Sequence, residues 1–147
     1  MPFCGRLPRS LDGVAAGGRY EGLLREVILR MKRRWYLPLS QAMARLFADR
    51  LRETVAQWEP TFLVPVPMHW RRRWLRGVNS PEILAQALGR GLGLPVKDRL
   101  VVRHRHTRLQ TELSPTARKR NVQGAFRLRQ ADCVPEARIV LVDDVLT

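Results

Sequence analysis

Cysteine is nearly absent: Cys4 and Cys133 are the two in 147 residues. Neither belongs to a C-x-x-C pair, which argues against a zinc site within the chain. Two isolated thiols also make no disulfide framework, which fits a reducing cytosol. Long apolar runs are missing. None approaches the roughly 20 residues that a membrane-spanning helix needs. The opening Met1-Pro2-Phe3-Cys4-Gly5-Arg6-Leu7-Pro8 has no hydrophobic signal core. The expectation is a cytoplasmic protein without membrane insertion. Acidic residues are the third shortage, with 13 Asp and Glu against 27 Lys and Arg and a formal charge of +14. Such an excess favours a polyanionic partner: nucleic acid, a phosphorylated substrate or an acidic protein. Most of it is arginine, whose planar guanidinium grips phosphate through two parallel hydrogen bonds. A GC-rich genome would explain arginine in place of lysine, but not the net excess.

What is present is a chain long enough for one domain with a real core. Residues 1–19 are rich in Gly, Pro and Arg, show no period and read as an irregular lead-in. From Tyr20, helical spacing takes over with Leu23, Leu24, Val27, Ile28 and Met31 on one face. A second helix is expected from near Pro38 to about Trp58, with Leu39, Met43, Leu46, Phe47 and Leu51 as its apolar positions. Phe62-Leu63-Val64 reads as a short buried strand running into a stiff Pro65-Val66-Pro67 loop. Ser80-Pro81-Glu82 opens another helix, with Ser80 as its capping hydroxyl, and the Gly89 to Gly93 stretch stops it. Leu100 to Val102 is a strand candidate, Ser114-Pro115 begins a third amphipathic segment, and Ala125 to Leu128 alternates like an edge strand. Ile139 to Val142, four apolar residues in a row, reads as a buried parallel strand. Helices alternating with short apolar strands predict an α/β fold.

Three groups of residues could carry chemistry. Asp143 and Asp144 follow the last strand directly, and the carboxyl end of a parallel strand is where α/β sheets bind ligands. Two carboxylates there can accept hydrogen bonds from a vicinal diol or hold a hydrated Mg²⁺; alternatively they are a helix cap and a solvated neighbour. The Pro65–Met68 loop is pre-ordered by its prolines, and Arg71, Arg72, Arg73 and Arg76 after it can bind pyrophosphate or simply form a basic surface. Trp70 and Trp74 stand among these arginines, where they could stack on bases; anchoring the loop on the core is the reading favoured here. His69, His104 and His106 have no acid or cysteine at metal-ligand spacing and read as exposed polar residues of basic loops.

Together these motifs form an ordered pattern. Pro65-Val66-Pro67-Met68-His69 is followed by Arg76-Gly77-Val78-Asn79, by Gln110 ahead of Leu113-Ser114, and by Arg118 with Asn121-Val122. Gly124-Ala125-Phe126 comes next, and Val140-Leu141-Val142-Asp143-Asp144-Val145-Leu146-Thr147 closes the series. The order and spacing resemble the ComF family of phosphoribosyltransferase-like proteins, and Tyr20-Glu21-Gly22 with Leu24 and Lys32 resembles that family's helical lead-in. The resemblance implies a type I phosphoribosyltransferase fold, a mostly parallel sheet flanked by helices. It implies that Asp143 and Asp144 bind the ribose hydroxyls of phosphoribosyl pyrophosphate, brought in with Mg²⁺. It gives phosphate or pyrophosphate binding to Pro65, Val66, Pro67, Arg76, Asn79 and Thr147, and a mobile loop to Arg118 and Asn121. No catalytic residue is assigned.

Departures from the family pattern shape the expectation. The family's cysteine-rich zinc segment is reduced to Cys4-Gly5-Arg6, so no zinc is expected, and residues 1–19 read as its remnant. The Thr/Gly-rich loop that would cradle a 5′-phosphate at a helix N-terminus is represented by Thr147 alone. Residues 20–147 are therefore expected to be a partial phosphoribosyltransferase-like domain, truncated on its C-terminal side and inactive as a transferase. The resemblance links the chain to natural competence and DNA uptake. Two functional readings stand beside a third, an inactive fragment with neither activity. One is a sugar-phosphate site of the transferase class. The other is a non-catalytic protein bound to single-stranded DNA or to the competence machinery, motivated by the charge and by the Trp70–Arg76 segment.

Overall fold

The computed structural model describes residues 11–69, 74, 77–105, 107, 114–129 and 136–146. Among these residues, four helices and four short strands form a mixed α/β unit. In chain order they are α1 (Gly22–Met31), a 3-10 turn (Arg34–Tyr36), α2 (Leu37–Ala56), β1 (Phe62–Pro65), α3 (Ser80–Leu92), β2 (Val101–Arg103), α4 (Pro115–Val122), β3 (Phe126–Leu128) and β4 (Ile139–Val142). Residues 11–20 contain no helix or strand and pass over α2, with Gly17 against the ring of Phe47 and Gly13 against Trp58.

β1 is the centre of the fold because every one of its side chains is buried. It pairs in parallel with β4, Phe62 opposite Ile139 and Pro65 opposite Val142. On its other side Leu63 makes a parallel bridge to Val96, fixed by Leu63 N–H to the Pro95 carbonyl and Lys97 N–H to the Leu63 carbonyl. α3 connects β1 to that bridge, as a parallel crossover requires. β2 and β3 form a separate antiparallel ribbon. Of the mostly parallel sheet that was expected, the described residues show a small parallel core and this ribbon.

Alternation along the strands gives the sheet two unlike faces. Leu63, Val140 and Val142 face α2 and α3 and join Ala44, Ala48, Val55, Ala85 and Leu88 in the main core. α2 approaches α3 through Ser40, Ala44 and Ala48, small residues spaced four apart and all buried. The expected stripe of large residues is shifted: Leu46 is exposed, and so is Leu23 on α1. The opposite face carries Phe62 and Val64, covered by Leu100, Val101 and Ala137. Beside them Ile139 and Leu141 remain 41% and 57% exposed. The expected buried strand is therefore half right, since β4 is covered on the α3 face and open on the other. An apolar hollow of about 1430 Å³ lies along β4, walled by Leu24, Phe47, Leu51, Trp58, Ile139 and Leu141 and reaching the two acids.

α3 ends within the glycine stretch expected to stop it. It continues through Gly89 to Leu92 and stops at Gly93, whose φ of 68° is left-handed and carries little penalty without a Cβ. Gly89 is needed for a different reason: a Cβ there would lie 2.7 Å from Val96 and 2.9 Å from the Leu94 carbonyl.

Candidate functional site

The parallel register decides what meets at the carboxyl end of the sheet. Pro65 lies opposite Val142, and one residue on, the Val66 N–H donates to the Val142 carbonyl at 2.8 Å. The Pro65-Val66-Pro67 turn therefore leaves β1 alongside the point where Asp143 leaves β4. Two stretches some 75 residues apart in sequence, which suggested a site independently, share one sheet edge. Pro65 is fully buried, while Val66 and Pro67 are half-buried.

The two acids are not equivalent. The Asp144 N–H donates to Asp143 Oδ1 at 2.8 Å, so the chain turns at once and both carboxyl groups fall on one side of the strand end. Asp144 Oδ2 lies 3.4 Å from Lys32 Nζ, with side chains only 19% and 23% exposed. Lys32 is the C-cap of α1, where an ammonium also suits the negative end of the helix dipole. Asp143 keeps solvent access, yet protein atoms crowd its carboxyl. Burial first, and then the charge of Asp144, push its pKa up to about 6 from 3.8, against the Asp144 N–H and Lys32, which pull it down. With its pKa raised to about 6, Asp143 is still mostly a carboxylate near neutral pH. Such a pair can accept hydrogen bonds from adjacent hydroxyls.

The α1–α3 junction steadies this end. Ser40 and Ser80 both donate to the Met31 carbonyl, at 3.1 and 3.4 Å. The expected role of Ser80 as a cap is thus corrected, because its hydroxyl is spent on α1 and Asn79 holds the N-cap position. Asn79 is buried, its Nδ2 meeting Glu82 Oε2 at 3.5 Å, and its Oδ1 has no partner among the described residues. A buried acceptor left this way costs about 1–3 kcal/mol.

Other expected residues fall elsewhere. Asn121 and the backbone of Arg118 belong to α4, which is tied to the segment after β2 by Arg105, a donor to the carbonyls of Asn121 and Gln123 at 3.1 and 2.6 Å. These contacts place α4 with the ribbon rather than with the acids. Arg76 and Thr147 lie outside the described residues, as do Cys4, Cys133, Trp70, Arg71–Arg73 and His106. His69 is buried rather than exposed, and Trp74 is 82% exposed rather than anchored on the core. Lys32 was legible only as part of a lead-in motif; nothing in its spacing announces a partner more than 100 residues away. Among the described residues no group of three or more His, Cys, Asp or Glu is placed to hold a metal ion, and no helix is long and apolar enough to cross a membrane.

No family model matches the chain, and no solved structure matches it. Among curated proteins it is 32% identical over 148 residues to competence protein F of Haemophilus influenzae, covering 98% of this chain and 65% of that protein. It is 38% identical over 112 residues to DNA utilization protein YhgH of Escherichia coli K12, covering 74% of this chain and 48% of that protein. The YhgH protein of Salmonella typhimurium is 37% identical with the same coverage. The chain thus spans about half to two thirds of the length of the curated relatives it matches. At these identities over these lengths, the chain is homologous to competence protein F and to the YhgH proteins.

Proposed function

We propose that the chain is the phosphoribosyltransferase-like part of a cytoplasmic protein that serves DNA uptake and utilisation, and that its acid pair binds the ribose diol of phosphoribosyl pyrophosphate. The DNA-handling half of the reading rests on the names of the homologues, competence protein F and DNA utilization protein. The sugar-phosphate half is carried by one observation: the parallel register sets the Pro65–Pro67 turn beside Asp143 and Asp144 at the carboxyl end of β1 and β4. In that arrangement Asp144, paired with Lys32, and Asp143 accept the 2′- and 3′-hydroxyls, and the proline turn borders the pyrophosphate.

Mg²⁺ fits this proposal as a companion of the pyrophosphate. Carboxylate oxygens are suitable donors for it, but Asp144 is already engaged by Lys32, which leaves the pair better matched to hydroxyl donors than to a bare cation. When bound, Mg²⁺ would neutralise the pyrophosphate. The chain's own residues orient the sugar.

Calorimetry with phosphoribosyl pyrophosphate and Mg²⁺ tests the proposal. Saturable binding is expected, and it should weaken at least tenfold in D143N/D144N with the far-UV circular dichroism unchanged. No binding to the wild type, or equal binding by the double variant, would refute it.

A further inference from the structure

Lys32 closes α1, far in sequence from the acids at the sheet edge, yet its ammonium lies against Asp144. We propose that Lys32 is a specificity-determining residue of the acid pair: it holds the cation position beside Asp144, so that the pair receives hydroxyl groups and does not take up a free divalent cation. The preference for hydroxyls rests on the ribose-binding reading above; the exclusion of the metal stands apart from it.

The ammonium is held from its backbone outward. Met31, the residue before it, is 4% exposed. The Met31 carbonyl accepts from Ser40 Oγ at 3.1 Å and from Ser80 Oγ at 3.4 Å. Ser40 lies on α2 and Ser80 on α3, so three helices meet at this one peptide. A surface lysine is a mobile point charge on a flexible four-carbon stem. Here the side chain is largely covered, with 23% of its surface exposed, which restricts where the charge can go.

Two carboxyl groups turned to one side of a strand end resemble the start of a Mg²⁺ or Mn²⁺ site, in which one or two carboxylates bind the ion and water completes its shell. Lys32 opposes such a site at both acids. Its Nζ stands 3.4 Å from Asp144 Oδ2, on the side from which a metal would reach that oxygen. A Mg²⁺ ion about 2.1 Å from the same oxygen would be no more than about 5.5 Å from the ammonium, close enough for strong repulsion between like charges. The ammonium is felt at the second acid as well: burial and the Asp144 charge raise the Asp143 pKa, and Lys32 pulls it down. A sugar hydroxyl meets neither obstacle. It is neutral and donates its proton to a carboxylate oxygen, and an ammonium, which has donors only, does not compete for that proton.

Mn²⁺ alone is the probe, followed by calorimetry and by the paramagnetic resonance signal of the free ion. The wild type should show no Mn²⁺ site that depends on the acids. Lys32→Met and Lys32→Gln should each gain one, at least about tenfold tighter than any site of the wild type because the repelling charge is gone. Adding D143N/D144N to either variant should abolish it. Lys32→Arg keeps the charge and should behave like the wild type. Arg30→Met removes a cation of the same helix that is paired with Glu26 instead, and should gain no site. Mn²⁺ binding by the wild type that D143N/D144N abolishes would overturn the proposal, and so would the absence of a new site in both neutral variants. Failure of the wild type to bind phosphoribosyl pyrophosphate would overturn the hydroxyl preference along with the sugar-phosphate reading, a result distinct from any obtained with Mn²⁺ alone.

Discussion

The β1–β4 pair has an ion pair at each end, and the two are built differently. At the amino end Arg138 Nη1 meets Glu59 Oε2 at 2.7 Å, with side chains 65% and 79% exposed. At the carboxyl end Lys32 Nζ meets Asp144 Oδ2 at 3.4 Å, with side chains 23% and 19% exposed. The shorter contact is the weaker candidate for stability. Water screens it, and two long side chains lose rotamer freedom to make it. The longer contact sits where solvent competes poorly and a second carboxylate adds to the local negative charge. Environment, more than separation, decides which pair matters.

The largest effect is expected from Lys32→Met. Removing one partner of a fully buried pair costs about 3–5 kcal/mol. Residual exposure reduces this, so about 1–2 kcal/mol of folding stability should be lost in urea unfolding. The same change removes a cation that holds the Asp143 pKa down, so that pKa should rise further, as read by NMR titration of the side-chain carboxyl. A neutral result on both measurements would make the two ends of the sheet alike.

A smaller effect, with a distinctive pH signature, is expected from Asp143→Asn. The folded pKa is raised to about 6 from 3.8, so the native state holds this proton more tightly than the unfolded chain. Wild-type stability therefore falls as pH rises from about 3.8 to about 6, and the full penalty persists above that. Solvent access moderates its size. Asp143→Asn removes the charge, so its melting temperature should exceed that of the wild type at pH 7.5. The difference should vanish below the unfolded pKa. A constant offset across the titration would assign the effect to packing instead.

Helices and strands were legible wherever apolar periodicity was strong. β1, α3 and the position of β4 follow from Phe62-Leu63-Val64, Ser80-Pro81-Glu82 and Ile139 to Val142. Their burial was less legible. The close contact of α2 with α3 runs through Ser40, Ala44 and Ala48, which a count of large hydrophobics passes over even though small side chains allow the closest approach. β4 reads as buried on both faces because four consecutive apolar residues cannot reveal that Ile139 and Leu141 lack a covering layer. In the site, Asp143, Asp144 and the proline turn were each visible as local motifs. Their meeting depends on a parallel register between residues far apart in the chain, which no local pattern encodes. Lys32 was the least visible of all, since an ion pair across more than 100 residues leaves no periodic trace.

The smallest expected effect belongs to the amino end. Thr61 N–H donates to the Arg138 carbonyl at 2.8 Å, and Arg138 N–H donates to Thr61 Oγ1 at 3.2 Å. The strand end is thus fixed by groups other than the ion pair. Glu59→Gln and Arg138→Gln should each change stability by less than about 0.5 kcal/mol, and the double variant should show little coupling. Whatever coupling exists should fade as salt is raised past a Debye length of about 8 Å, reached at physiological ionic strength. The Lys32–Asp144 pair, shielded from bulk ions, should keep its coupling over the same range. A double-mutant cycle at each end, run at low and high salt, puts the contrast at risk. If the amino-end cycle gave the larger, salt-resistant energy, exposure would not be what separates the two ends, and the 2.7 Å contact would outrank the 3.4 Å one after all.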